Sequence, residues 1–90
     1  MPYVPVVLEL DYVNTGNLSV PANDELETQY DAPDGWAIVS WGYTAAPEYF
    51  RIRAAVIQSP GPGQSQFVGV MENVDSVSHS FRWTFVLIKM

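Results

Sequence analysis

The sequence predicts an all-β protein, a single small antiparallel β-sandwich or barrel of about six to seven strands. Three observations lead there. Runs rich in Val, Ile, Tyr, Phe and Trp recur along the 90 residues. No segment sustains the period of an amphipathic helix. Clusters of Gly, Pro, Asn and Asp punctuate the runs at short intervals, as turns between strands do.

Residues 4–13 form the first run, with Leu10 and Tyr12 on one face and Glu9 and Asp11 on the other. Asn14-Thr15-Gly16-Asn17 is turn chemistry, and residues 18–20 read as a short returning strand. Residues 25–30 are polar and read as an edge strand or loop, with a short helical turn as the alternative. Asp31-Ala32-Pro33-Asp34-Gly35 is a turn, because Pro presets one dihedral and Gly supplies a positive φ.

Residues 36–43 read as a central strand with Ala37, Val39 and Trp41 on one face and Trp36, Ile38, Ser40 and Gly42 on the other. In residues 49–57, Arg51 and Arg53 share one face while Phe50, Ile52 and Ala54 face the core. Pro60-Gly61-Pro62-Gly63 is an exposed loop. Residues 67–73 form a strand, and residues 77–89 a long final one. There Phe81, Trp83, Phe85 and Leu87 share one face, and Arg82, Thr84, Val86 and Ile88 the other. A strand so apolar on both sides is expected to meet the core on one face and a neighbouring subunit on the other.

Length and composition bound the function. The chain is expected to be one domain, residues 1–90, with residues 1–6 an extended Pro-bearing arm. It has no cysteine, so apolar burial must supply its stability, and 48% of its residues are hydrophobic. The start, MPYVPVVLEL, lacks a basic segment followed by a long apolar one, which predicts no signal peptide and no export. No apolar run approaches the length of a membrane-spanning helix, so no membrane partner is expected. Net charge is −6, with −8 in residues 1–48 and +2 in residues 49–90. Four dispersed cations do not neutralise phosphates, which argues against nucleic acid.

Chemistry is sparse. The one histidine, His79, lies in a Ser-rich stretch near Asp75, and triads are gathered from distant positions, so it reads as an exposed loop residue. No nucleophile elbow, phosphate loop, dinucleotide fingerprint or His-pair metal motif is present. No catalytic residue, cofactor or metal is therefore expected. The acidic stretch at Asp24, Glu25, Glu27, Asp31 and Asp34 does not have EF-hand spacing. A nucleic-acid mimic would need those carboxylates along one face. Trp36 and Tyr49, beside turns, are the candidates for an exposed face that stacks on a sugar.

From Ala32 onward the order of features resembles small β modules of bacteriophage tail fibres and other virion proteins. Ala-Pro-Asp-Gly-Trp leads into Ile38-Val39-Ser40-Trp41-Gly42-Tyr43. Phe50-Arg51-Ile52-Arg53, a Pro/Gly loop, Val68-Gly69-Val70-Met71-Glu72-Asn73 and the closing residues 81–88 follow. The likeness covers about two-thirds of the chain and rests on strand order and turn residues. Ser40-Trp41-Gly42 stands where those modules carry three glycines. The resemblance implies a non-enzymatic virion structural protein, made in the host cytoplasm, of capsid-decoration (cement) or tail-associated type. Its expected partners are itself, as a homo-oligomer for which a trimer is the candidate state, and a larger viral assembly. The assembly surface is expected at Tyr3, Val4 and Pro5, at Arg51 and Arg53 facing a neighbour's acidic half, and at Phe81, Trp83, Phe85, Val86 and Ile88. A carbohydrate- or receptor-binding module is the alternative.

Overall fold

A computed structural model describes residues 8–90. The expected arm, with Tyr3, Val4 and Pro5, lies outside the described residues. The described residues form an antiparallel β-sandwich of seven strands: β1 (Leu10–Asn14), β2 (Leu18–Val20), β3 (Glu25–Asp31), β4 (Trp36–Thr44), β5 (Phe50–Gln58), β6 (Gln66–Asn73) and β7 (His79–Lys89). β7 is the centre of one sheet and pairs with β1, β2 and β4. β6 is the centre of the other, between β3 and β5.

The two central strands carry the core because their sequences alternate most cleanly. Phe67, Gly69 and Met71 of β6 face Phe81, Trp83, Phe85 and Leu87 of β7, and all are buried. The rings interlock edge to face, with Phe67 centred 5.0 Å from Trp83 and 4.9 Å from Phe85. Tyr30 of β3 stacks on Phe85 at 4.6 Å. Burying each large apolar side chain contributes about 1.5–3 kcal/mol. Gly69 is what lets these rings meet, since a Cβ there would lie 2.7 Å from Cε1 and Cζ of Phe67 and 2.8 Å from Cζ2 of Trp83.

Two polar contacts tie the sheets together. The Trp83 indole donates to Thr28 Oγ1 at 3.1 Å. Asn73, wholly buried at the end of β6, donates through Nδ2 to the carbonyls of Val20 (3.1 Å), Pro21 (3.3 Å) and Val77 (2.8 Å). Its Oδ1 accepts from the Asp75 amide at 2.9 Å. One side chain thereby joins the β2–β3 and β6–β7 crossovers with its hydrogen-bonding capacity filled.

Three expectations change. Residues 18–20 do not return on β1. Both strands meet β7 in succession, and four residues from Asn14 to Leu18 span three from Thr84 to Phe81. Gly16, at φ +72°, supplies the extra residue of that bulge. In β4 a bulge at Val39 separates Ile38↔Leu87 from Ser40↔Val86. Trp36, Ile38 and Trp41 consequently all pack on the core. In β5 a bulge at Arg53 turns Ala54 outward and puts Ala55 and Ile57 beside Phe50 and Ile52. The physical reason is the same each time: one inserted residue reverses the two-residue alternation beyond it.

Candidate functional site

The two outer faces of the sandwich differ in chemistry. On the β3–β6–β5 sheet, Glu25, Glu27, Gln29 and Asp31 line the outward side of β3, opposite Glu72, Val70, Val68 and Gln66. Arg51 Nε lies 3.4 Å from Glu72 Oε1, and Arg53 Nε lies 3.7 Å from Glu25 Oε1. The two arginines expected to reach a neighbour's acidic half are thus paired with carboxylates of their own chain. Glu25, Glu27 and Asp31 do share one face, but Arg53 partly neutralises the row and Gln66 donates to Asp31 Oδ1 at 2.8 Å. No group of acidic or histidine side chains among the described residues could hold a metal ion.

The outer face of the sheet centred on β7 is apolar at its Leu10–Ile88 end and polar toward Asn14, Thr84 and Arg82. Leu10, Tyr12 and Asn14 of β1 lie opposite Ile88, Val86 and Thr84, and Ala37, Ser40 and Gly42 of β4 flank the same β7 residues from the other side. Tyr12 is 72% exposed, and Leu8, Leu10 and Val39 are exposed too. Thr84, Val86 and Ile88 are half-buried in the middle of the face. A shallow groove of about 360 Å³ runs here, with Thr84 and Val86 as floor and Tyr12, Asn14, Ser40 and Gly42 as walls. Gly42 keeps one wall low, because a Cβ there would sit 3.0 Å from Thr84 Oγ1.

The expected assembly residues divide on this geometry. Val86 and Ile88 lie on the outer face. Phe81, Trp83 and Phe85 are between 0% and 2% exposed in the core, and so cannot touch a neighbour. Trp36 and Tyr49 do not form one ligand face either. Trp36 pairs with Lys89 at the end of β7, while Tyr49 stacks on His79 at its start, about 30 Å away along the strand. Leu10 and Tyr12 are surface residues that sequence reasoning does not single out. Their alternation with Glu9 and Asp11 is visible in the sequence, but which side faces the core is not.

His79 is not an exposed loop residue. It opens β7, half-buried, with its ring parallel to Tyr49 at 3.9 Å and its Nε2 2.7 Å from Asp75 Oδ2. That hydrogen bond, with a second from the Ser76 amide, holds the Asp75 carboxyl below its ordinary value. Among the described residues no serine hydroxyl is hydrogen-bonded to His79, so the pair lacks the nucleophile that a triad needs. Its role on this geometry is to pin the β6–β7 crossover.

Comparison with protein-family models, curated proteins and solved structures finds no match. The arrangement of the faces therefore carries the functional reading by itself. One face is charged, with Arg51 and Arg53 paired to Glu72 and Glu25, and the other carries an apolar stretch beside a shallow groove. Such a pair of faces suits contact with a macromolecule on the apolar side and solvent on the charged side.

Proposed function

We propose that this chain is a non-enzymatic virion structural protein, a capsid-decoration or tail-associated β module that acts through protein–protein assembly as a homo-oligomer. The observation that carries the assembly reading is the exposed apolar face built from Leu10, Tyr12, Val86 and Ile88. A contiguous apolar surface of this kind gains free energy when covered, and a chain this small has little interior in which to hide it otherwise. The resemblance in strand order and turn residues supports the virion setting.

Solution mass by size-exclusion chromatography with light scattering tests the reading. A defined multiple of the 10.0 kDa chain is the expected result. Replacing Val86 by Lys, on the outer face, should lower that mass while leaving the β-sheet circular dichroism unchanged. A monomer at every concentration would overturn assembly with itself.

One feature favours the alternative of a carbohydrate-binding module. The groove sets the exposed ring of Tyr12 beside the polar side chains of Asn14, Ser40 and Thr84, the combination that stacks on a sugar face and bonds its hydroxyls. Glycan-array binding abolished by Tyr12→Ala would support this alternative, and silence across the array would remove it.

A further inference from the structure

We infer that β4 is a self-pairing edge: two copies of this chain join β4 to β4 in antiparallel register about Gly42, making one continuous sheet across the dimer. The inference rests on the assembly reading above and adds to the outer apolar face a second, separate contact.

Backbone directions determine which groups of β4 are free. Along β7, the Lys89 amide donates to the Glu9 carbonyl, and the Trp83 carbonyl accepts from the Thr15 amide. The odd-numbered β7 residues therefore bond toward β1. Their partners on the other side, Ile38↔Leu87, Trp41↔Phe85 and Tyr43↔Trp83, are non-hydrogen-bonded pairs. The N–H and C=O groups of Ile38, Trp41 and Tyr43 consequently point away from β7, off the free edge. Ile38 confirms the direction, since its amide donates to Ser65 Oγ at 3.0 Å. No such cap among the described residues takes the amides of Trp41 and Tyr43.

The other edges are closed to a second copy or, in β2 (Leu18–Val20), only three residues long. On β1 the Tyr12 amide, which faces the free side, is bonded by Asp11 Oδ1 at 2.9 Å, and the strand is flanked by Glu9 and Asp11. Self-pairing of β3 would set Glu25, Glu27 and Asp31 of one copy against the same carboxylates of the other. β5 carries Arg51 and Arg53 and is broken by the bulge at Arg53. These are the devices that keep sheet edges from adding strands. β4, Trp36–Thr44, carries no charged residue, and its bulge at Val39 lies before the open stretch. In a chain of net charge −6, it is the long edge where two identical copies meet without like charges opposed.

The register follows from the side chains. Centring on Gly42 sets Trp41 opposite the second copy's Tyr43 and lets each such pair exchange two backbone hydrogen bonds. Gly42 meets its counterpart at the close, non-bonded position, where the lack of a side chain suits the approach. Tyr43 is on the inner side of the sheet yet 44% exposed, its ring 6.3 Å from that of Trp83 at 72°. The pairing would cover it with an aromatic neighbour.

The test is light scattering on wild type, Tyr43→Pro and Tyr43→Lys, at low and high salt, with thermal melts to confirm folding. Proline removes an outward amide that the monomer does not bond, and Lys retains the amide but places charge on the edge. The expected result is a wild-type oligomer of even copy number, indifferent to salt, in which the dissociation constant of the β4 contact rises at least about tenfold in both variants. If Tyr43→Pro fails to fold, Tyr43→Lys decides alone. A wild-type oligomer unchanged by either variant, a trimer, or an oligomer that salt dissolves would overturn the edge pairing while leaving assembly standing. A wild-type monomer would overturn both.

Discussion

Gly69→Ala should be among the most damaging single-carbon changes in the described structure. The added Cβ would stand 2.7 Å from two ring atoms of Phe67 and 2.8 Å from one of Trp83, where ordinary contact begins at 3.4 Å. Each ring must therefore move by more than half an ångström. Both are wholly buried, and each is locked edge to face with other rings, so neither can yield into solvent. Overpacking of this kind costs about 1–3 kcal/mol. Loss of glycine's freedom in the unfolded chain offsets about 0.4–1 kcal/mol. A net loss of about 1–2 kcal/mol remains, which lowers Tm by roughly 5–15 °C in a domain of this size. Denaturant unfolding followed by tryptophan fluorescence measures it. Shortening the obstructing ring with Phe67→Leu should make the same Gly69→Ala change at least about 1 kcal/mol cheaper in the double-mutant cycle. A neutral or stabilising Gly69→Ala, with no coupling to Phe67, would refute a core in which these rings meet over the bare glycine.

Asn73→Ala leaves the carbonyls of Val20 and Val77 and the Asp75 amide without the partner they have now. It should cost about 2–4 kcal/mol by denaturant midpoint. Thr28→Val strands the buried indole N–H of Trp83 and should cost about 1–2 kcal/mol in the same assay. The Asp75 carboxyl is held down by the His79 hydrogen bond, so its stabilisation is present above its ordinary value of 3.8 and is lost as pH falls below it. Asp75→Asn should flatten that acid limb of the stability-against-pH curve. Burial, and then Asp11, raise the pKa of Tyr30 above its ordinary 10.0. The fold therefore loses stability as pH rises past that value, and Tyr30→Phe should remove that alkaline loss.

Much of this protein is legible in the order of its residues. The all-β class, the position of most strands and the division of β7 into two faces follow from alternation and turn chemistry. Phe81, Trp83, Phe85 and Leu87 share one face of β7 by alternation, because no helix period competes with the two-residue one, but that this face is the buried one is decided by packing. The run of residues 67–73 that reads as a strand becomes β6 in the structure.

Three things needed the tertiary structure. The bulges at Val39 and Arg53 reverse the alternation midway through β4 and β5, and nothing in those residues announces which one is extra. Pairing partners decide that, through the register of the whole ladder. The assignment of Leu10 and Tyr12 to the outside likewise depends on their opposition to Ile88 and Val86, because a strand's two faces are equivalent until a second sheet covers one. The fates of the charges were also non-local. Arg51 and Arg53 find Glu72 and Glu25 across the ladder, and the uncharged β4 is placed by the topology as a long open edge. Alternation along a chain is local and survives in the sequence. Which face is buried and which edge stays open are relations between distant segments, and only their packing decides them.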